Sequence, residues 1–137
     1  MLTWEFPPRI VGGIAPHCCG LAKALVHSGH EVHVVTLDFP GTPSYEEVDG
    51  VKVYRTAAEL GHPNFVTWAL LFNHFMEKRV ADISQQVSFD LVHLHDWLTA
   101  PAGVSFKHYI KKPMVATLHS TEYGLSLIHI SEPTRPY

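Results

Sequence analysis

The stretch FPPRIVGGIAPH, Phe6–His17, lies where a predicted strand ends and a predicted helix begins. Pro7 and Pro8 interrupt regular strand structure, and Gly12 and Gly13 come directly before residues with helical spacing. Two glycines at a helix N-terminus suit an anion, because the backbone can approach it closely and the helix offers free N–H groups. A tight turn that packs the helix on the strand is an equal alternative, since neither G-x-G-x-x-G nor a P-loop lysine is present.

On either side of this stretch, strands and helices alternate along the chain. Helices are predicted from Ile14 to the cap at Gly29, from the capping residue Asn64 onward, and from Trp97 to Ile110. Alternation of this kind favours an α/β fold with a Rossmann-like, doubly wound parallel sheet. The predicted strands are Met1–Phe6, His30–Asp38, Gly50–Thr56 (near an edge), Phe89–His95 and Lys112–His119.

Three polar or glycine-rich loops follow predicted strands. They are Arg9–Gly13, His95–Trp97 and His119–Tyr123, which includes Glu122. In such sheets ligands bind beyond the carboxyl ends of the strands, so these loops are the predicted binding site. For the last loop, a capped connection to a further helix is the alternative.

The segment HLHDW, His93–Trp97, contains two histidines that share one face of a strand. We interpret His93 as a packed core residue and His95 as a hydrogen-bonding partner for a ligand hydroxyl. Asp96 either accepts from a sugar hydroxyl or caps the next helix, and Trp97 either stacks on a sugar or packs. A metal-dependent hydrolase built on His93, His95, Asp96 and His119 is a further alternative. The favoured interpretation, however, assigns no residue as a metal ligand.

Composition limits the classes of function. The chain has 137 residues, about one domain, with 46% hydrophobic residues and a formal net charge of −3, which argues against a nucleic-acid partner. We expect no transmembrane segment, no export signal and a cytoplasmic location. Cys18 and Cys19 are adjacent, so they fit poorly as a disulfide or a metal pair and are expected to be small packed side chains.

The C-terminal segment Leu125–Tyr137 does not continue the periodicity of the fold. Its residues LSLIHISEPTR resemble the translation of a common transposase sequencing adapter. We therefore expect a truncated Rossmann-like domain at residues 1–124 and a non-native tail at 125–137. A genuine C-terminal strand, SLIHI, is the alternative.

Four segments together resemble the N-terminal half of GT-B glycosyltransferases, of the glycogen/starch synthase-like and family 4 type. The resemblance implies two Rossmann-like domains facing each other across a cleft, of which this chain holds the acceptor-side one. Bacterial glycogen synthases typically carry a lysine where this chain has Ile10, with Arg9 as the nearest cation. The segments are LTWEFPPRIVGGIAPH, LVHSGHEVHVVT, LVHLHDWLTAPAG and KPMVATLHSTEYG.

The resemblance implies roles for individual residues. It assigns His95 to the catalytic centre and places Arg9, Gly12 and Gly13 at the donor diphosphate and sugar. The acceptor or sugar pocket is assigned to Asp96, Trp97, His119 and Glu122.

The implied reaction is the retaining transfer of a glycosyl unit, glucose in glycogen synthases, from a nucleotide-diphosphate sugar to a glycan or other hydroxyl. No cofactor or metal is expected, because helix N-termini and basic side chains stabilise the leaving diphosphate. The isolated chain is expected to be inactive without the C-terminal GT-B domain, and poorly soluble because of an exposed sheet edge. A non-catalytic nucleotide- or sugar-binding Rossmann-like module is the alternative.

Overall fold

The computed structural model describes residues 1–57 and 61–120. Glu122 and the proposed boundary between residues 124 and 125 lie outside these residues. No helix in the described ranges is long and apolar enough to cross a membrane. The elements are α1 (Ile14–His27), β1 (His33–Leu37), β2 (Tyr45–Val48), β3 (Val51–Thr56), α2 (Phe65–Ser84), β4 (Val92–His95), α3 (Ala100–Tyr109) and β5 (Met114–Thr117), with a 3₁₀ turn at Trp97–Thr99 before α3.

The strands form a mostly parallel sheet joined through Leu2. β1 pairs in parallel with β3, and β4 pairs in parallel with β5. Leu2 bridges both β1 and β4 in parallel, so the order is β2–β3–β1–Leu2–β4–β5. The amide of Leu2 donates to the carbonyl of His93 at 2.8 Å, and its carbonyl accepts from the amide of His95 at 2.9 Å. The predicted parallel α/β architecture is confirmed.

The first predicted strand, Met1–Phe6, is shorter than expected. Only Leu2 forms bridges to both neighbours. The hydroxyl of Thr3 donates to the carbonyl of Glu5 at 2.9 Å, which turns the chain out of the sheet two residues later. The N-terminal segment therefore lies at the centre of the sheet, between β1 and β4, without being a regular strand.

One strand, β2, was not predicted. It pairs antiparallel with β3 across a two-residue turn in which Asp49 and Gly50 have φ of 51° and 80°. Asp-Gly is a preferred hairpin turn, and the sequence did indicate a turn there. β2 was missed because it contains two adjacent glutamates, which are depleted in strands. Its edge position confirms that β3 lies near the edge of the sheet.

Helices cover both faces of the central strands, as the sequence predicted. Val35 and Leu37 of β1 belong to one apolar cluster, which also contains residues of α2 and α3. Val34 belongs to the other cluster, together with Cys18 and Ala22 of α1. Because successive side chains of a strand point to opposite faces, the continuously buried strand β1 contributes to both clusters.

The helix caps and the two cysteines have the local structure that the sequence predicted. Gly29 has a φ of 89° just beyond α1, as expected for a left-handed cap. The side chain of Asn64 accepts from the amide of Thr67, which confirms it as the N-cap of α2. Cys18 is buried, Cys19 is half-buried, and both thiols are free. Val115 on β5 is exposed, so the β5 edge of the sheet is less covered by helices than the central strands.

Replacement of Gly103 by alanine is expected to lower the free energy of unfolding by about 1–3 kcal/mol, because it overpacks the interface between α3 and β4. A Cβ at Gly103 would lie 2.1 Å from Cδ1 of Leu94, a buried side chain with little room to move. The matched control is Gly20→Ala in α1, where no atom lies within 4 Å of the added Cβ. The control should stabilise the protein by about 0.5–1 kcal/mol. Urea unfolding measures both, and equal effects of the two variants would contradict the expectation.

Candidate active site

The buried carboxylate of Glu5 organises the glycine loop. Glu5 is 0% exposed. One carboxylate oxygen, Oε2, accepts from the amide of Val11 at 2.8 Å and of Gly12 at 3.2 Å, and Oε1 accepts from the amide of Ala15 at 3.0 Å. An anion does lie at the start of α1, as the helix N-terminus favours, but it is the protein's own side chain.

Sequence reasoning assigned no role to Glu5. The available signal was a carboxylate a few residues before a glycine pair and a helix start. Three backbone amides of the glycine loop and the first turn of α1 therefore already have an acceptor within the protein.

The glycine pair itself faces open space. A Cβ at Gly13 would meet no atom within 4 Å, and one at Gly12 would meet only Oε1 of Glu5, at 4.0 Å. Gly13 has φ of −78° and ψ of −13°, which any residue can adopt. Neither close helix–strand packing nor a left-handed backbone explains these glycines, so the tight-packing alternative loses its basis. Within the described ranges, the amides of Gly13 and Ile14 donate to no protein acceptor, and they remain available to a ligand.

The side chain of Arg9 binds the loop after β1. Its guanidinium donates through Nη2 and Nε to the carbonyl of Asp38, at 2.6 Å and 3.1 Å. It also lies over the ring of Phe39, with 5.5 Å from Cζ to the ring centroid. Arg9 thus connects the loop before α1 to the loop after β1 through the carbonyl of Asp38.

Histidines meet at the carboxyl ends of β4 and β5. His95 is fully buried, and its Nδ1 lies 3.3 Å from Nε2 of His119. The ring of His93 packs against that of His95, with centroids 4.1 Å apart, and its Nε2 lies 2.7 Å from the hydroxyl of Thr117. His93 is thus half-buried and hydrogen-bonded, in line with its interpretation as a packed residue. Nε2 of His95 has no hydrogen-bond partner among the described residues.

A fourth ring, that of His17, completes the group. It projects from the first turn of α1, and its centroid lies 4.9 Å from that of His119 and 5.6 Å from that of His95. The sequence placed His17 in the glycine stretch but gave it no role. Its position one turn after a loop at the same sheet end was the available signal. The loop Arg9–Gly13, which leads into α1, therefore converges with the loops after β4 and β5, as predicted.

Burial determines the charge of the central histidine. Burial, together with the smaller effects of the neighbouring histidines His93, His119 and His17, lowers the pKa of His95 from its usual 6.5 to about 3. Burial also lowers the pKa of His93. His95 is therefore a neutral imidazole near pH 7, suited to hydrogen bonding with a hydroxyl rather than to pairing with an anion.

Asp96 makes the contacts of a capping residue, and Trp97 makes those of a packed side chain. Oδ1 of Asp96 accepts from the amide of Trp97 at 3.0 Å, which caps the 3₁₀ turn. The same carboxylate lies 3.4 Å from the amide and the hydroxyl of Ser120, joining the ends of β4 and β5. The ring of Trp97 packs edge-to-face against that of Phe65, with centroids 6.2 Å apart. Contacts of either residue with a sugar stay a prediction.

In protein kept free of metal ions by a chelator, so that no ion binds the histidines, the free energy of unfolding is expected to fall as the pH is lowered below 6.5. In the unfolded chain His95 takes up a proton near pH 6.5, whereas in the folded protein it does so only at about pH 3. The contribution of neutral His95 to the free energy of unfolding is therefore fully present above pH 6.5 and is lost as the pH falls toward 3. A His95→Gln variant should show a shallower loss between pH 7.5 and 5. Urea unfolding at several pH values provides the test, and parallel curves for the two proteins would contradict it.

Comparison with known proteins identifies the family. A family model described as Glycosyltransferase Family 4 matches residues 11–136. The chain belongs to glycosyltransferase family 4. It is 47% identical over 124 residues to an uncharacterized glycosyltransferase of Methanocaldococcus jannaschii, covering 90% of this chain and 31% of that protein. It is 34% identical over 139 residues to a glycogen synthase of Mycobacterium tuberculosis, covering 90% and 34%.

The fold comparison agrees with this membership. The structure matches sucrose-phosphate synthase from Thermosynechococcus elongatus with a TM-score of 0.76 and 16% identity, over 98% of this chain and 36% of that chain. The resemblance to GT-B glycosyltransferases and the Rossmann-like fold are thereby confirmed. The chain spans about a third of the length of these relatives.

Proposed function

We propose that the whole protein is a retaining hexosyltransferase that moves glucose from a nucleotide-diphosphate sugar to a hydroxyl of a glycan or another acceptor. The observation that supports this most is the contact of the neutral, buried His95 with His17, one turn after the open glycine loop, in a chain of glycosyltransferase family 4. Similarity to a glycogen synthase supports glucose as the sugar and retention as the stereochemical outcome.

The roles follow from what each group offers. The amides of Gly13 and Ile14, at the positive end of α1, have no acceptor among the described residues and suit the charge of a departing diphosphate. His95 holds a hydroxyl of the sugar at the reacting centre, and the exposed ring of His119 lies on its outer side. Because amides and a neutral imidazole supply these contacts, we propose transfer without a metal or other cofactor.

A second domain completes the site in this proposal. The groups that bind the nucleotide lie on the opposite wall of the cleft, in a C-terminal GT-B domain. That the chain covers only about a third of its relatives supports this division, and the 137 residues alone are expected to transfer no sugar. We propose a cytoplasmic location, where nucleotide sugars are made.

The test is a donor screen with the full-length product of the gene. Purified protein is incubated with UDP-, ADP- and GDP-sugars and an oligoglucan, and nucleotide release and the anomeric configuration of the product are measured. Transfer of glucose with retained configuration is the expected result. A folded full-length protein that binds a nucleotide sugar but never transfers it would overturn the proposal in favour of the non-catalytic binding module. Transfer by the 137-residue chain alone would overturn the dependence on a second domain.

A further inference from the structure

Three imidazoles from three separate elements converge at one point of the candidate active site. His17 comes from α1, His95 from the end of β4, and His119 from the loop after β5. One ring nitrogen of each lies within 4.8 Å of those of the other two. We call this group the histidine triad.

The spacing in the triad suits a transition-metal ion. Tetrahedral Zn²⁺ with Zn–N bonds of about 2.0–2.1 Å holds neighbouring ligand nitrogens about 3.3 Å apart. Nδ1 of His95 and Nε2 of His119 are 3.3 Å apart without any ion. His17 is exposed, so a change of its side-chain torsions can bring its nitrogen closer to the other two.

The surroundings of the triad hold its central ligand in place. His95 is fully buried, and the ring of His93 packs against it while bonding to Thr117. This packing restrains the orientation of the His95 ring, whose Nε2 has no hydrogen-bond partner among the described residues. The carboxylate of Asp96 is engaged by Trp97 and Ser120, so the triad is purely imidazole. Imidazole ligands favour zinc, copper, nickel and cobalt over magnesium or calcium.

We propose that the histidine triad binds one divalent transition-metal ion of the zinc class, with a fourth coordination position open toward solvent. Two of its ligands, His17 and His119, are exposed, so the ion enters from the side of the glycine loop. This ligand set differs from a site built on His93, His95, Asp96 and His119, because His93 and Asp96 are engaged elsewhere. The ion is a competitor for the site rather than a cofactor, a consequence that rests on the proposed function of His95.

Cobalt serves as the spectroscopic probe for the site. The 137-residue chain, free of metal, is titrated with Co²⁺, and the visible absorption bands of tetrahedral cobalt report its binding. Equilibrium dialysis with Zn²⁺ gives the stoichiometry. One tightly bound ion per chain is the expected result.

Matched variants locate the binding to the triad. His17→Gln and His119→Gln should each weaken binding by roughly tenfold or more, and both change exposed side chains, so folding is expected to survive. The control is His108→Gln, an exposed histidine on α3, which should leave binding unchanged. No tetrahedral spectrum in the wild-type chain, or equal binding by all four proteins, would overturn the proposal. Because the readout is spectroscopic, failure of the metal site is distinguishable from failure of the transferase proposal, which the donor screen tests separately.

Discussion

Replacing Glu5 with alanine is expected to lower the free energy of unfolding by about 2–4 kcal/mol. The carboxylate is fully buried and accepts hydrogen bonds from the amides of Val11, Gly12 and Ala15. Its removal leaves these amides without an acceptor at the start of α1 and creates a cavity beside them. Urea unfolding followed by circular dichroism measures the loss.

Two further variants of acidic residues sharpen this test. Glu5→Gln preserves the size of the side chain but replaces one accepting oxygen with a donor, so about half of the loss is expected. Glu47→Ala on the exposed face of β2 is the control and should change the free energy of unfolding by less than about 0.5 kcal/mol. If Glu5→Ala were as mild as Glu47→Ala, the carboxylate would not be what orders the glycine loop.

In the full-length protein, replacing His95 with alanine is expected to lower kcat/KM for sugar transfer by roughly a hundredfold to a thousandfold. The physical reason is the loss of a preorganised hydrogen-bonding group at the reacting centre, held by packing of His93 and by Nε2 of His119. His95→Asn keeps a polar group on a shorter side chain and should recover part of the loss. Steady-state kinetics with the donor found in the screen measures the effect.

Two measurements separate this role from simple loss of folding. Circular dichroism should show that His95→Ala remains folded, and His74→Ala, on the exposed side of α2, should leave kcat/KM unchanged. Because burial lowers the pKa of His95 to about 3, its protonation should add no inflection to the rate between pH 5 and 8. A folded His95→Ala variant with full kcat/KM would contradict the assignment.

Much of the fold was predictable because its signals are local. Each of these signals depends only on residues close by in the sequence. Examples are the β-branched residues of β1, the capping side chain of Asn64 and the left-handed backbone of Gly29. The rule that ligands bind at the carboxyl ends of parallel strands then placed His95 and His119 on the same side of the sheet as the glycine pair. The two wrong predictions of strands also have local causes. β2 contains two glutamates, which are uncommon in strands, and the predicted first strand pairs only through the bridges of Leu2.

The chemistry of the site was less predictable. Periodicity and turn residues were enough to indicate which segments form strands, where the helices begin and which loops share an edge. They could not indicate that Glu5 takes the amides of the glycine loop, or that His17 meets His95 and His119. These contacts join side chains from distant parts of the chain, and their distances depend on how α1 packs against the sheet. Tertiary packing, by burying His95 among other rings, also decided that this histidine is neutral.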